Sequence, residues 1–220
     1  VVANGSRHMQ VVAPFVQALP LSARLADTAW RDIDPRRIDR TWRGDPAPPG
    51  LSTQVRAAWS GAHLWFAFDC AYAELDADDG VVDTGVKRTA LWDRDVCEAF
   101  VRSAREPHAE SYKEFEVAPT GQWCDLAIHR PRVDVDLGWL SGMQTAAAID
   151  TAGRRFTTVM RIPFEAFGGT PAPGDTWAIN LFRIARVHGV RQYLALSPTG
   201  TATPDFHVPG AFVPLQFLGD

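Results

Sequence analysis

From about residue 52 the chain reads as short runs in which apolar and polar residues tend to alternate, separated by clusters of glycine, proline and aspartate. The runs cover 53–59, 63–70, 96–102, 111–118, 122–129, 144–149, 155–162, 176–186, 192–196 and 213–218. A period of two sends successive side chains to opposite faces of a strand, whereas an amphipathic helix would repeat every three to four residues. Many short runs at this spacing predict an all-β antiparallel β-sandwich. Pro163-Phe-Glu-Ala-Phe167 followed by Gly168 and Gly169 predicts a helical turn, because proline opens it and glycine closes it. The proline-rich stretch 45–50 predicts a connection between an N-terminal edge and the main sheets.

Alternation also assigns faces. Along 111–118, Lys113, Phe115 and Val117 share one side, and Tyr112, Glu114 and Glu116 share the other. Along 122–129, Cys124, Leu126 and Ile128 oppose Trp123, Asp125 and Ala127. Each run therefore has one apolar face and one face mixing acids with an aromatic. Glu98 breaks the pattern, since it shares a side with Val96 and Phe100. An acid on an apolar face is paired, protonated or functional, and Arg183 is a candidate ion-pair partner. Just upstream, Trp92 stands among Asp93, Arg94 and Asp95. Either the loop 71–87 covers its indole, or the indole is a platform for a ligand.

Composition narrows the classes. With 46% hydrophobic and 22% charged residues, the 220-residue chain is ordinary for a globular protein. Its net charge of −4 and the absence of any Lys/Arg run make nucleic acid and anionic membranes poor partners. No apolar run approaches the ~20 residues of a membrane span. Residues 1–9 contain Gly-Ser-Arg-His-Met and read as an expression-tag remnant, leaving 10–220 as a single domain. Cys70, Cys97 and Cys124 each lie in an apolar run, which predicts small buried thiols, with a disulfide between two of them left open. Eight tryptophans raise the prospect that one or two serve a flat apolar ligand.

Most catalytic signatures are missing: there is no Gly-x-Ser-x-Gly elbow and no His-Glu-x-x-His. The stretch 80–87 approaches a phosphate loop, but Val86 displaces the lysine and no Ser or Thr follows. Asp76-Ala-Asp78-Asp79-Gly80 begins like a calcium loop, yet Lys87 stands where the bidentate glutamate is needed. The six histidines are scattered, and His207 is the most loop-like of them. A pair of acids such as Glu98 with Glu116 or Asp125 would suit glycoside hydrolysis. Acids on a sheet face more commonly meet solvent or sugar hydroxyls.

Six segments in order carry a resemblance. They are Leu25-Ala-Asp-Thr-Ala-Trp30, Gln54 to Trp59 with Leu64 to Phe68, Trp92-x-x-Asp95-x-x-Glu98-x-Phe100, Tyr112 to Gly121, Trp177 to Ile184, and Phe206 to Phe212. Over about residues 25–217 the chain resembles the family 9 carbohydrate-binding modules and their DOMON-like, jelly-roll-related kin. The resemblance implies a sugar held between two aromatic walls, here Trp92 and the Phe206 position, where sugar-binding members carry tryptophan. Glu98 matches a position that accepts hydroxyl hydrogen bonds, and Glu116 replaces an arginine that helps hold the sugar. Tyr112, Asp125 and Arg183 complete the expected carbohydrate-binding set. Family members often hold structural calcium, whose ligands do not map onto this chain residue by residue.

The expected function is therefore non-catalytic saccharide binding by an extracellular or periplasmic protein. One alternative is a haem b electron-transfer domain, as in some DOMON relatives, with Met143 and either His129 or His207 as axial ligands and Met160 in the core. The other is a glycoside-active enzyme.

Overall fold

The computed structural model of the protein describes residues 9–219 apart from Asp79 and Val81. Except for Met9, the segment read as a tag remnant lies outside the described residues. Among the described residues there are fourteen strands: β1 (Val11–Ala13), β2 (Arg36–Arg37), β3 (Arg40–Thr41), β4 (Thr53–Trp59), β5 (His63–Ala71), β6 (Val96–Arg102) and β7 (Tyr112–Val117), then β8 (Trp123–Arg130), β9 (Asp134–Asp136), β10 (Gln144–Asp150), β11 (Arg155–Pro163), β12 (Thr176–Val187), β13 (Val190–Ala195) and β14 (Val213–Phe217). Every strand read from the alternation is found, and the helical turn appears as a 3-10 turn at Phe164–Phe167, closed by Gly168 at φ 81°.

The strands form two sheets. One has nine strands in the order β1-β14-β12-β6-β7-β8-β9, with β13 pairing β12 and β3; the other runs β10-β11-β5-β4-β2. Pairing between the strands is antiparallel as expected, except at one edge, where β1 runs parallel to β14. The stretch 45–50 is no free connection either. Trp42, just before it, hydrogen-bonds to Tyr193 of β13, and Ala47 packs on the main core.

Apolar residues fill three layers. The main one lies between the sheets and includes Phe66, Phe68, Ala99, Phe115, Leu181 and Phe217. A second covers the outer face of the five-stranded sheet, where the N-terminal segment buries Trp30 against Ala58, Trp65 and Ala67. The third lies on the outer face of the nine-stranded sheet and contains Phe100, Tyr112, Leu126, Phe182 and Phe206. Strands buried on both faces read as nearly continuous apolar runs, which explains His63–Ala71 and Thr176–Val187. All three cysteines are buried free thiols, and Cys70 and Cys97, one from each sheet, bring their sulfurs to 3.6 Å. No helix among the described residues is long and apolar enough to cross a membrane.

Candidate functional site

The third layer is incomplete, and a cavity of about 610 Å³ opens in it. Its floor is sheet. Glu98 on β6 stands directly opposite Glu116 on β7, and Glu114 lies two residues along the same face. Leu126 of β8 and Ile184 of β12 flank them. The hairpin between β7 and β8 sets this arrangement. Gly121 takes φ 87° so that its N–H reaches the Ala118 carbonyl at 2.9 Å, and Ala118 donates to Gln122 at 2.8 Å. A slip of one residue would turn both glutamates inward.

The walls come from loops. Ala90, in the left-handed region at φ 63°, leads into a 3-10 turn at Leu91–Asp93 that leaves Trp92 half-buried along the cavity. Across the floor run Asp205, Phe206 and His207. Phe206 stacks on Phe182 with centroids 4.1 Å apart and planes 13° from parallel. Tyr112 Oη and His207 Nδ1 are hydrogen-bonded at 2.6 Å, and the His207 amide donates to Asp205 at 3.0 Å. Arg132, at φ 61° in the turn after β8, donates to the Asp205 carboxylate at 2.6 Å and holds the loop down.

The three glutamates dominate the electrostatics. They are 2%, 3% and 0% exposed in the order Glu98, Glu114, Glu116. None forms an ion pair with a lysine or arginine among the described residues. Glu98 Oε1, Glu114 Oε2 and both oxygens of Glu116 are buried without a hydrogen-bond partner. Burial, then the Glu114 charge, holds the Glu98 carboxyl well above the usual range. Glu116 is held up by burial and then by Glu98 and Glu114. Burial also pushes Glu114 up to about 7. His207 is pushed down to about 4, first by burial and then by the Arg132 guanidinium, so it is neutral at pH 7.

The structure brings Trp92, Glu98, Glu116 and Phe206 of the expected set to one cavity. Tyr112 lies fully buried, where its hydroxyl positions His207. Two expectations need correction. Arg183 pairs in register with Cys97, not Glu98, so it points between the sheets. There it donates to Thr53 Oγ1 at 2.8 Å and lies over the Phe156 ring at 5.1 Å. Asp125 also faces inward. Its carboxylate accepts from the Ser141 amide and hydroxyl at 2.7 and 2.6 Å and meets Lys87 Nζ at 3.1 Å. It therefore cannot join Glu98 as a catalytic pair. The expected haem ligands are separated too: Met143 packs between the sheets with Met160, His207 lines the outer cavity, and His129 is exposed. The calcium-like loop does not fit that ion, because Asp76 is engaged by Arg94 and Arg186 and Asp78 by Arg88 and Arg94. Asp79 of that loop lies outside the described residues.

Arg132, Glu114 and Asp205 are cavity residues outside the carbohydrate-binding set expected from the sequence, and His207, expected only as a haem ligand, lines the cavity with them. A signal existed for Glu114, which shares its face with Glu116. For the loops there was none, since closure over the sheet depends on the Arg132–Asp205 contact across 73 positions.

No protein-family model matches the chain, and no curated protein does. Solved structures do. One, described as a putative carbohydrate-binding protein from Bacteroides uniformis ATCC 8492, aligns with a TM-score of 0.74 at 18% identity over 96% of this chain and 99% of that one. A family 9 carbohydrate-binding module from Caldicellulosiruptor kristjanssonii aligns in two structures, with cellotriose and with glucose, at a TM-score of 0.70 and 10% identity. These cover 96% of this chain and 95% and 97% of the module chains. At such identities the likeness shows the fold, and the expected sandwich is the one these modules share.

Proposed function

We propose that the protein binds a saccharide without catalysis, in the cavity on the outer face of the nine-stranded sheet. The observation that carries this reading is the meeting of a half-buried indole and unpartnered carboxylates in one cavity. A pyranose presents an apolar C–H face that stacks on indole and hydroxyls that hydrogen-bond to carboxyl groups, whether these are ionised or protonated. A volume of about 610 Å³ is the size of a small-ligand site. Support also comes from the shared fold with modules solved with cellotriose and glucose. In this reading Trp92 is the platform, Phe206 the lesser wall with one ring face already stacked on Phe182, and Glu98 the principal hydroxyl acceptor. Such a protein would meet its ligand in the extracellular or periplasmic space.

A disaccharide of about two dozen heavy atoms at ~0.3 kcal/mol per atom gives a Kd near 10 μM at best. Calorimetric titration with glucose, cellobiose, xylobiose, galactose, rhamnose and uronic acids tests the reading. Saturable heat with one of them, weakened about tenfold or more in Trp92→Ala with an unchanged unfolding temperature, is expected. Dilution heat alone across the panel overturns it.

A further inference from the structure

Three buried carboxylates on one floor need a reason beyond holding the fold, because an uncompensated buried charge destabilises its surroundings. On the inner face of the same sheet, buried Asp125 finds an opposite charge in Lys87. Glu98, Glu114 and Glu116 do not, and Glu116 lies fully buried along the cavity with both oxygens free.

One oxygen from each glutamate lies within 4.8 Å of the others. Two ligands on opposite sides of Ca²⁺, each at 2.3–2.6 Å, are about 4.6–5.2 Å apart; around Mg²⁺ at 2.0–2.1 Å they are about 4.0–4.2 Å apart. Separations up to 4.8 Å suit ligands around an ion of either size, and calcium tolerates the irregular geometry of three carboxylates on a sheet, whereas magnesium demands a near-ideal octahedron and keeps several waters. All three donors are oxygens, as a hard cation prefers, and no Cys or His is in the group. We propose that Glu98, Glu114 and Glu116 form a binding site for a divalent cation of the calcium class at the base of the cavity. This donor set is unrelated to the arginine-paired loop of Asp76 and Asp78. Calcium takes about 6–8 oxygens. The positions left over face the cavity, so a saccharide there supplies hydroxyl oxygens to the same ion. That second step rests on the saccharide-binding reading; the cation site does not.

The test is calorimetric titration of the chelator-stripped chain with CaCl₂, with no sugar present. One site per chain is expected, with a Kd between about 10⁻⁷ and 10⁻³ M and a rise in unfolding temperature with calcium. Glu98→Gln and Glu116→Gln should each weaken binding tenfold or more, while Asp76→Asn in the arginine-paired loop leaves it unchanged. Should the glutamine variants fail to fold, terbium replaces calcium in the otherwise native protein. Tryptophan-sensitised luminescence should then saturate at one terbium per chain and be displaced by excess calcium. Absence of calcium heat and thermal shift up to about 10 mM overturns the proposal, as does calcium binding retained in both glutamine variants. Glucosamine bound by the calcium-free chain and lost in Glu116→Gln would make this an ammonium site and likewise overturn it. Calcium binding with no sugar bound leaves the cation site standing and defeats the saccharide reading; sugar binding without calcium does the reverse.

Discussion

The two faces of the nine-stranded sheet treat acids in opposite ways. On the inner face Asp125 is buried, but two Ser141 donors and Lys87 meet it, and Lys87 also donates to the Leu137 and Trp139 carbonyls at 2.7 and 2.8 Å. That cluster ties the 80s loop and the 137–141 segment to β8. On the outer face, one strand away, Glu114 and Glu116 are as deeply buried and meet no cation. Satisfied polar burial reads as structure, whereas unsatisfied polar burial beside a cavity reads as a place kept for something else.

Breaking the inner side should have the largest effect. Asp125→Ala leaves Lys87 uncompensated and should cost about 3–5 kcal/mol, lowering the unfolding temperature by roughly 10 °C in a thermal melt. A neutral effect there would erase the contrast. The outer side should show itself next, through pH. Burial favours the protonated forms of Glu114, pushed up to about 7, and of Glu98 and Glu116. In the unfolded chain these acids release protons near the ordinary value of 4.5. Their contribution is fully present below that value and is lost as pH rises through the folded value. Asp95, pushed up to about 7 by burial, adds in the same direction. His207 works oppositely: its neutral form is favoured, so its share is present above pH 6.5 and fades as pH falls through about 4. Arg132 also faces this group and favours the charged carboxylates, while Tyr112 and Cys124 stay protonated beside it. Metal-free protein should therefore lose stability from pH 5 to pH 8, by an amount on the order of 3 kcal/mol, in denaturant titrations across that range. A rise over the same range would contradict the assignment.

Much of the scaffold was legible because alternation is clear in β7 and because Glu98 stands as a lone acid in the apolar run of β6. The face assignments failed where a strand is apolar on both sides. In β12, Ile179 and Leu181 point inward while Phe182 and Ile184 point outward, so the pattern could not say which way Arg183 turned. In β8, Cys124, Leu126 and Ile128 looked like the core side, yet they support the cavity, because the 206–212 loop makes the outer face a second apolar layer. Trp92 was found by its incongruous neighbours. The cavity roles of Arg132, Asp205 and His207 were not, since their closeness arises from loops that carry no periodicity.

Glu116→Gln brings both claims about the outer face to one protein. In metal-free buffer at pH 8, removing one of three crowded carboxylates should raise stability by about 1 kcal/mol, or 2–4 °C in the melt. The same protein, given calcium and the saccharide that titrates the native chain, should bind it at least tenfold more weakly. A more stable and less competent variant is the predicted result; one that melts lower and binds the sugar as before would contradict the account.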